Sequence, residues 1–106
     1  MPEWLMNTRR LADGTVVIEV RGEIDLGNAE RLRGALADTA TSVRPVRVVV
    51  DLMQVTFIDS TGIGALAVGR NTARSVGAAF EVRNPPPFVR QQLRMMGLTE
   101  AFGVQG

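Results

Sequence analysis

The segment Phe57-Ile58-Asp59-Ser60-Thr61-Gly62-Ile63-Gly64 contains the residue types with the clearest potential for chemistry in this chain. An acid precedes two hydroxyls, and two glycines follow them. Such a segment could supply a serine nucleophile, a phosphate-binding loop, a helix cap or a hydroxyl that another protein modifies. Composition and spacing reduce these four alternatives.

Composition excludes most catalytic roles for Ser60. The 106 residues include no Cys and no His, and all 12 basic residues are Arg. The chain therefore lacks a thiolate, a lysine for Schiff-base chemistry and the imidazole that usually activates a serine. The G-x-S-x-G motif of hydrolases is also incomplete, because Ile58 occupies its first position. We predict no catalytic residue, no metal site and no cofactor.

A phosphate-binding loop is a weaker alternative. Gly62-Ile63-Gly64 forms a G-x-G at the expected start of a helix, where free N–H groups attract anions. The P-loop pattern is absent, and Ala67 stands where a dinucleotide fingerprint has its third glycine. Weak nucleotide binding stays open, and a helix cap at Ser60 is the simplest structural role.

Charge and hydropathy indicate the environment of the chain. The 12 basic and 11 acidic residues are scattered and give a net charge of +1, without the basic stripe that nucleic-acid binding requires. No stretch approaches the roughly 20 apolar residues of a membrane span, and no signal-peptide pattern is present. The sequence predicts one cytoplasmic domain over residues 1–106, with no direct nucleic-acid partner and no membrane partner.

Hydrophobic periodicity predicts alternating strands and helices. The turn signal Asp13-Gly14 predicts a hairpin. The predicted strands are Met6–Arg10, Thr15–Arg21, Val46–Leu52 and Ala79–Arg83, with a last short strand at Phe102–Val104. Predicted helices follow Asn28, span Thr61 to about Val76, and span Pro86–Met96. This order, β-β-α-β-α-β-α, predicts an α/β fold with a mixed sheet and helices mainly on one face.

The ends and faces of these helices follow from local signals. Asn28 is the expected N-cap of the first helix, and Gly77 and Gly97 are expected to end the second and third. In the third helix, Val89, Leu93 and Met96 are expected to point inward. On the second helix, one arc should face the sheet, formed by Gly62, Ala65, Leu66, Gly69, Ala73 and Val76. The other arc should face solvent, formed by Ile63, Ala67, Arg70 and Arg74.

Three motifs resemble one known family. The run Asp51 to Gly64 resembles the D-L-x-x-V-x-F-[IM]-D-S-[ST]-G-[LI]-G signature of STAS domains, most closely that of bacterial anti-sigma factor antagonists. Arg21-Gly22-Glu23-Ile24-Asp25 is similar to the family's G-E-[IL]-D at the end of the second strand. A G-L-x-x-x-F pattern at Gly97, Leu98 and Phe102 matches its late helix.

The resemblance implies a STAS-like mixed sheet of four to five strands and a regulator that is not an enzyme. In this family the unmodified antagonist binds an anti-sigma factor and so frees a sigma factor. The anti-sigma factor is also a serine kinase, with its own ATP and Mg²⁺. It phosphorylates the serine that matches Ser60, which releases the antagonist, and a serine phosphatase reverses the modification.

The site residues follow from the resemblance and the predicted helix. Ser60 is the expected phosphorylation site, with Thr61 as the alternative, in a monomer or weak dimer. The expected partner-binding residues are Asp25, Asp59, Ser60, Thr61, Gly62, Ile63 and Ala67. Asp25 could assist kinase recognition or cap a helix, Asp59 could hold the hydroxyl or shape the turn, and Gly62 could serve partner approach or packing. A STAS scaffold, a transport-associated subunit or a weak nucleotide-binding module remains the alternative function.

Overall fold

The computed structural model describes residues 4–104, which form four strands and three α-helices around one hydrophobic core. The elements in chain order are β1 (Leu5–Arg10), β2 (Thr15–Ile24), α1 (Leu26–Asp38), a π-helical turn (Thr39–Val43), β3 (Arg47–Ile58), α2 (Ser60–Ser75), β4 (Ala79–Arg83) and α3 (Pro87–Met95). This order confirms the predicted β-β-α-β-α-β-α arrangement.

The sheet is mixed and has the strand order β1-β2-β3-β4. β1 and β2 form the predicted antiparallel hairpin, whose turn is held by a hydrogen bond from the Thr15 N–H to the Asp13 carboxylate (3.0 Å). β2 pairs with β3, and β3 with β4, in parallel. Parallel strands require crossovers, which α1 and α2 supply. Both helices therefore begin at the carboxyl-terminal edge of the sheet.

The core lies between the sheet and the helices. Alternate residues of β2 and β3, including Ile18, Val50 and Leu52, are fully buried beneath Leu32 and Leu66 of the helices. Val89 and Leu93 of α3 join the same core, as predicted. β3 extends to Ile58, six residues beyond the predicted end at Leu52, so the strand leads directly to the Asp59-Ser60 segment.

The small residues of α2 allow a close approach to α1. A Cβ atom on Gly69 would lie 2.5 Å from Leu36 Cδ1, and Leu36 belongs to α1. These small residues were predicted to face the sheet. At Gly69 the close neighbour is instead the parallel helix α1, so the buried face of α2 is shared between a sheet and a helix.

The start of α1 differs from the prediction. Asp25, and not Asn28, is the N-cap: its carboxylate accepts a hydrogen bond from the Gly27 N–H (2.9 Å). Asn28 completes a capping box by accepting from the Asp25 N–H (3.0 Å). The helix therefore begins at Leu26, two residues before the predicted cap.

The carboxyl-terminal segment also differs in part. Phe102–Val104 was predicted as a strand but is a turn, although the Phe102 carbonyl accepts from the Val82 N–H (2.8 Å) at the edge of β4. Met96 was predicted to point inward but is 53% exposed. Gly77 and Gly97 have φ of +82° and +72°, as expected for the ends of α2 and α3. No helix within residues 4–104 is long and apolar enough to cross a membrane.

Candidate functional site

The candidate site lies where the loops after β2 and β3 meet at the carboxyl-terminal edge of the sheet. The Asp59 N–H donates to the Ile24 carbonyl oxygen (3.2 Å), which joins the two loops directly. α1 begins after Asp25 and α2 begins after Asp59, so the amino ends of both helices lie side by side. The structure thus places Asp25 beside the Ser60 loop, where it caps α1.

Asp59, and not Ser60, caps α2. Its carboxylate accepts hydrogen bonds from the N–H groups of Thr61 (2.9 Å) and Gly62 (3.1 Å). It also accepts from the Thr61 hydroxyl (2.5 Å). The prediction of a Ser60 cap is wrong because Asp59, one residue earlier, has the extended backbone of a cap and a charged acceptor.

These donors lower the pKa of Asp59 below its ordinary value of 3.8. The hydrogen bond from the Thr61 hydroxyl is the largest cause, followed by the Gly62 N–H, with smaller contributions from the N–H groups of Thr61 and Leu26. All of them favour the ionised carboxylate. Asp59 is therefore charged at neutral pH and bound to the turn, and its hydroxyl partner is that of Thr61 rather than Ser60.

The two neighbouring hydroxyls are chemically distinct. Ser60 is the first residue of α2, its side chain is exposed, and its hydroxyl has no hydrogen-bond partner within residues 4–104. Thr61 is exposed too, but its hydroxyl is engaged by Asp59. Modification of the Ser60 oxygen would thus break no hydrogen bond within residues 4–104, whereas modification of the Thr61 oxygen would remove the hydroxyl's bond to Asp59.

The same cap uses the backbone N–H groups that a phosphate-binding loop would need. A phosphate at this helix start would need the N–H groups of Thr61 and Gly62, and both already donate to Asp59. From the sequence, these N–H groups were predicted to be free to bind an anion. The structure corrects this point, because an anion here would have to displace the Asp59 carboxylate.

The predicted outward position of Ile63 is wrong. Ile63 is 2% exposed and belongs to the hydrophobic core. The buried arc of α2 is therefore wider than the wheel suggested. Ala67 is half-buried, and Arg70 is half-buried too, with its Nε donating to the Ala101 carbonyl (2.6 Å).

Gly62 is required by packing. A Cβ atom at this position would lie 2.6 Å from Ile24 Cγ2 and 2.7 Å from Ile58 Cγ1. These contacts bring α2 against the ends of β2 and β3 and so fix the position of Ser60. Because Gly62 is buried, a partner cannot touch it without moving the helix.

Leu26 is an exposed apolar residue near the site that was not predicted from the sequence. It is the first residue of α1 and is 77% exposed, while its backbone N–H helps to stabilise the Asp59 carboxylate. The available signal in the sequence was an apolar side chain between Asp25 and Gly27, where polar residues are usual.

Ser60, Gly64 and Val68 form an exposed stripe along α2, at positions i, i+4 and i+8.

Comparisons with known proteins identify the family. The family model described as "Mlab, STAS domain" matches residues 7–105. A STAS-domain-containing protein of Pseudomonas aeruginosa is 32% identical over 94 residues, which cover 88% of this chain and 91% of that protein. The anti-sigma-F factor antagonist RsfB of Mycobacterium tuberculosis is 32% identical over 92 residues, covering 85% of this chain and 72% of RsfB.

A solved structure extends this similarity to three dimensions. The crystal structure of an anti-sigma factor antagonist from Mycobacterium paratuberculosis has a TM-score of 0.86 and 27% identity, and the match covers 97% of this chain and 86% of that chain. The chain therefore belongs to the STAS domain family, alongside bacterial anti-sigma factor antagonists.

Proposed function

We propose that this chain is a non-catalytic anti-sigma factor antagonist. Its unphosphorylated form binds an anti-sigma factor that is also a serine kinase, which frees a sigma factor, and phosphorylation of Ser60 releases the complex. The observation that supports this function best is the Ser60 hydroxyl, which is exposed and unbonded at the start of α2. The named antagonists among its relatives support the same class of partner.

Charge alone can explain the release. Phosphorylation adds about −1.5 to −2 charges to Ser60. The N–H groups of Thr61 and Gly62 are taken by Asp59, so the phosphate would stand uncompensated beside a second negative charge. Moving a complex from about 99% to 1% bound takes roughly 5.5 kcal/mol, and burying an uncompensated ion costs several kcal/mol. The fold itself need not rearrange, because the phosphate remains in water.

The docking surface needs an apolar anchor other than Ile63. We define the Ser60 surface as Leu26, Ser60, Thr61, Gly64 and Val68, all of which are exposed. Two of these residues have large apolar side chains. Leu26 is the more exposed of the two, at 77% against 39% for Val68. The partner would cover this surface, with an apolar recess that receives Leu26.

The first experiment tests the charge switch. Candidate serine-kinase anti-sigma factors from the same genome are titrated with the wild type, Ser60→Ala and Ser60→Glu. Ser60→Ala should bind and stay bound in the presence of ATP, while Ser60→Glu should bind poorly but remain folded. Ser75→Glu, at the other end of α2, adds the same charge far from the Ser60 surface and should bind normally. Equal binding by Ser60→Ala and Ser60→Glu would contradict the switch.

Two further readouts separate the alternatives. Mass spectrometry after incubation with kinase and ATP should place the phosphate on Ser60 and not on Thr61, and a serine phosphatase should remove it. A scaffold or transport-associated subunit would instead form a large assembly that light scattering detects for every Ser60 variant alike.

The second experiment tests the apolar anchor. Leu26→Ser removes the proposed contact, and Met95→Ser is its matched control because Met95 is 78% exposed on α3. Burying a leucine at an interface contributes about 1.5–3 kcal/mol, so Leu26→Ser should weaken the complex about 10- to 100-fold. Met95→Ser should leave the affinity unchanged. An equal effect of the two changes would place the anchor elsewhere.

A further inference from the structure

A second surface lies at the opposite end of the strands, where β2 and β3 begin. There, the β1–β2 hairpin loop and the segment that joins the π-helical turn to β3 together line a groove of about 300 Å³. Arg10 and Leu11 stand on the hairpin side, and Arg44 and Val46 stand on the other side. We call these four residues and the space between them the amino-edge groove. The Ser60 surface does not include any of them.

Backbone hydrogen bonds hold the two sides of the amino-edge groove together. The Val46 N–H donates to the Gly14 carbonyl (2.9 Å), which ties the linking segment to the hairpin loop. Within the loop, the Leu11 N–H donates to the Thr15 carbonyl (2.8 Å). The groove is therefore formed in the unbound chain, so a ligand need not order its walls.

The rim of the groove combines positive charge with exposed apolar side chains. Arg10 and Arg44 are exposed, and their guanidinium groups have no partner within residues 4–104. Val46 is 60% exposed and Leu11 is 38% exposed. Asp13 of the hairpin loop does not line the groove; hydrogen bonds from Thr15 lower its pKa and keep it ionised, and the charge of Arg47 acts in the same direction.

Arg44 has an unusual backbone conformation. Its φ of 55° and ψ of 57° lie in the left-handed region, which favours glycine or asparagine at the end of a helix. Arg44 ends the π-helical turn, where its N–H donates to the Thr39 carbonyl (3.3 Å), and this conformation costs an arginine more than a glycine. The side chain here stands on the rim of a preformed groove.

We propose that the amino-edge groove binds an acidic peptide segment of a second protein. Carboxylates of the segment would pair with Arg10 and Arg44, and an apolar side chain between them would contact Leu11 and Val46. Both charge and apolar contact favour this occupant: nucleic-acid phosphates would make no use of the exposed Leu and Val. The proposal does not depend on the function proposed for Ser60, because the two surfaces lie at opposite ends of the strands.

The binding test uses three fluorescein-labelled peptides of equal length in fluorescence anisotropy with the full chain. The first contains Asp and Glu around Leu and Phe. The second replaces the acids by Asn and Gln, and the third replaces Leu and Phe by Ser. The first should bind in the micromolar range, and the other two should bind at least about tenfold more weakly, because each lacks one half of the recognition.

Matched variants locate the binding. Arg44→Gly removes the charge and the strained conformation together, so it should weaken binding of the first peptide about tenfold without lowering the melting temperature. Val46→Ser should also weaken binding, whereas Met53→Ser should not, although Val46 and Met53 are equally exposed at 60%. Arg94→Gln, on α3, controls for loss of a positive charge elsewhere.

Several outcomes would overturn the proposal. They are the absence of binding by the first peptide, equal binding by all three, and equal effects of the groove variants and their controls. Tighter binding of a single-stranded oligonucleotide or of anionic lipid vesicles than of the first peptide would also overturn it, since the occupant would then belong to another class. Each of these results leaves the Ser60 tests unaffected.

Discussion

At the scale of residues, the site depends on how Asp59 divides its hydrogen bonds. The carboxylate binds the Thr61 hydroxyl and two backbone N–H groups, and it leaves the Ser60 hydroxyl free. One acid thereby caps the helix, engages one hydroxyl and leaves the adjacent one available. The sequence offers both hydroxyls, and the geometry adds a difference between them: only the Thr61 hydroxyl is bonded to Asp59.

Replacing Thr61 by Val tests this division. The Thr61 hydroxyl is the largest cause of the lowered pKa of Asp59, so Thr61→Val should raise that pKa toward 3.8, as NMR titration of the carboxyl carbon would measure. Because the folded pKa is below the unfolded one, Asp59 contributes stability above about pH 4 that is lost as the pH falls through the folded pKa. Thr61→Val should therefore destabilise the chain at pH 7 and have a smaller effect at pH 2.

A suitable control is Thr41→Val. The Thr41 hydroxyl is exposed and donates to the Ala37 carbonyl (2.9 Å), so it contacts no carboxylate. Its loss should change stability by the same amount at both pH values. A pH-independent effect of Thr61→Val as well would show that the Asp59–Thr61 bond does not shift the titration.

At the scale of elements, local signals were sufficient for most of the fold. These signals act within a few residues: the Asp13-Gly14 turn and the glycines after α2 and α3 were predicted correctly. The β-branched run predicted the existence of β3, but not its extension from Leu52 to Ile58. The start of α1 was missed because a capping box needs Asp25 and Asn28 together, and the sequence offers both as caps.

The errors at the site have a different origin, which is long-range packing. A helical wheel assumes one buried arc, whereas α2 is covered by the sheet and by α1. The wheel placed Ile63 on a solvent-facing arc with Arg70, but the Arg70 side chain contacts the Ala101 carbonyl of the carboxyl-terminal segment and Ile63 is buried. The apolar first residue of α1, Leu26, is instead exposed. Neither fact can be read from the spacing of residues within a single helix.

Gly62 and Gly64 allow the packing of α2 to be tested within one turn. A methyl group at Gly62 would overlap Ile24 and Ile58, so Gly62→Ala should destabilise the chain by about 1–3 kcal/mol. At Gly64 no atom lies within 4 Å of the added methyl, so Gly64→Ala should stabilise the helix by about 0.5–1 kcal/mol. Urea denaturation measures both. Similar effects at the two positions would mean that α2 does not rest against the ends of β2 and β3 as described.

At the scale of the whole molecule, the sheet separates two surfaces of different character. The Ser60 surface lies at the carboxyl-terminal ends of β2 and β3, and the amino-edge groove lies at their amino-terminal ends. β3 spans Arg47–Ile58 between them, in a molecule whose longest extent is 32 Å. Salt screens exposed charges beyond about 8 Å at physiological ionic strength, so a phosphate at Ser60 should have little electrostatic effect at Arg44.

This separation predicts that the two surfaces bind independently. The wild type, Ser60→Glu, Arg44→Gly and the double variant are each titrated with the anti-sigma factor and with the acidic peptide. Ser60→Glu should weaken only the first interaction and Arg44→Gly only the second, with the effects in the double variant adding to within about 0.5 kcal/mol. Coupling larger than this would require a change in the sheet or in the packing of α1 on α2, since direct charge interaction is screened. Independence would instead allow the chain to hold one protein at the amino-edge groove while phosphorylation of Ser60 governs binding of another.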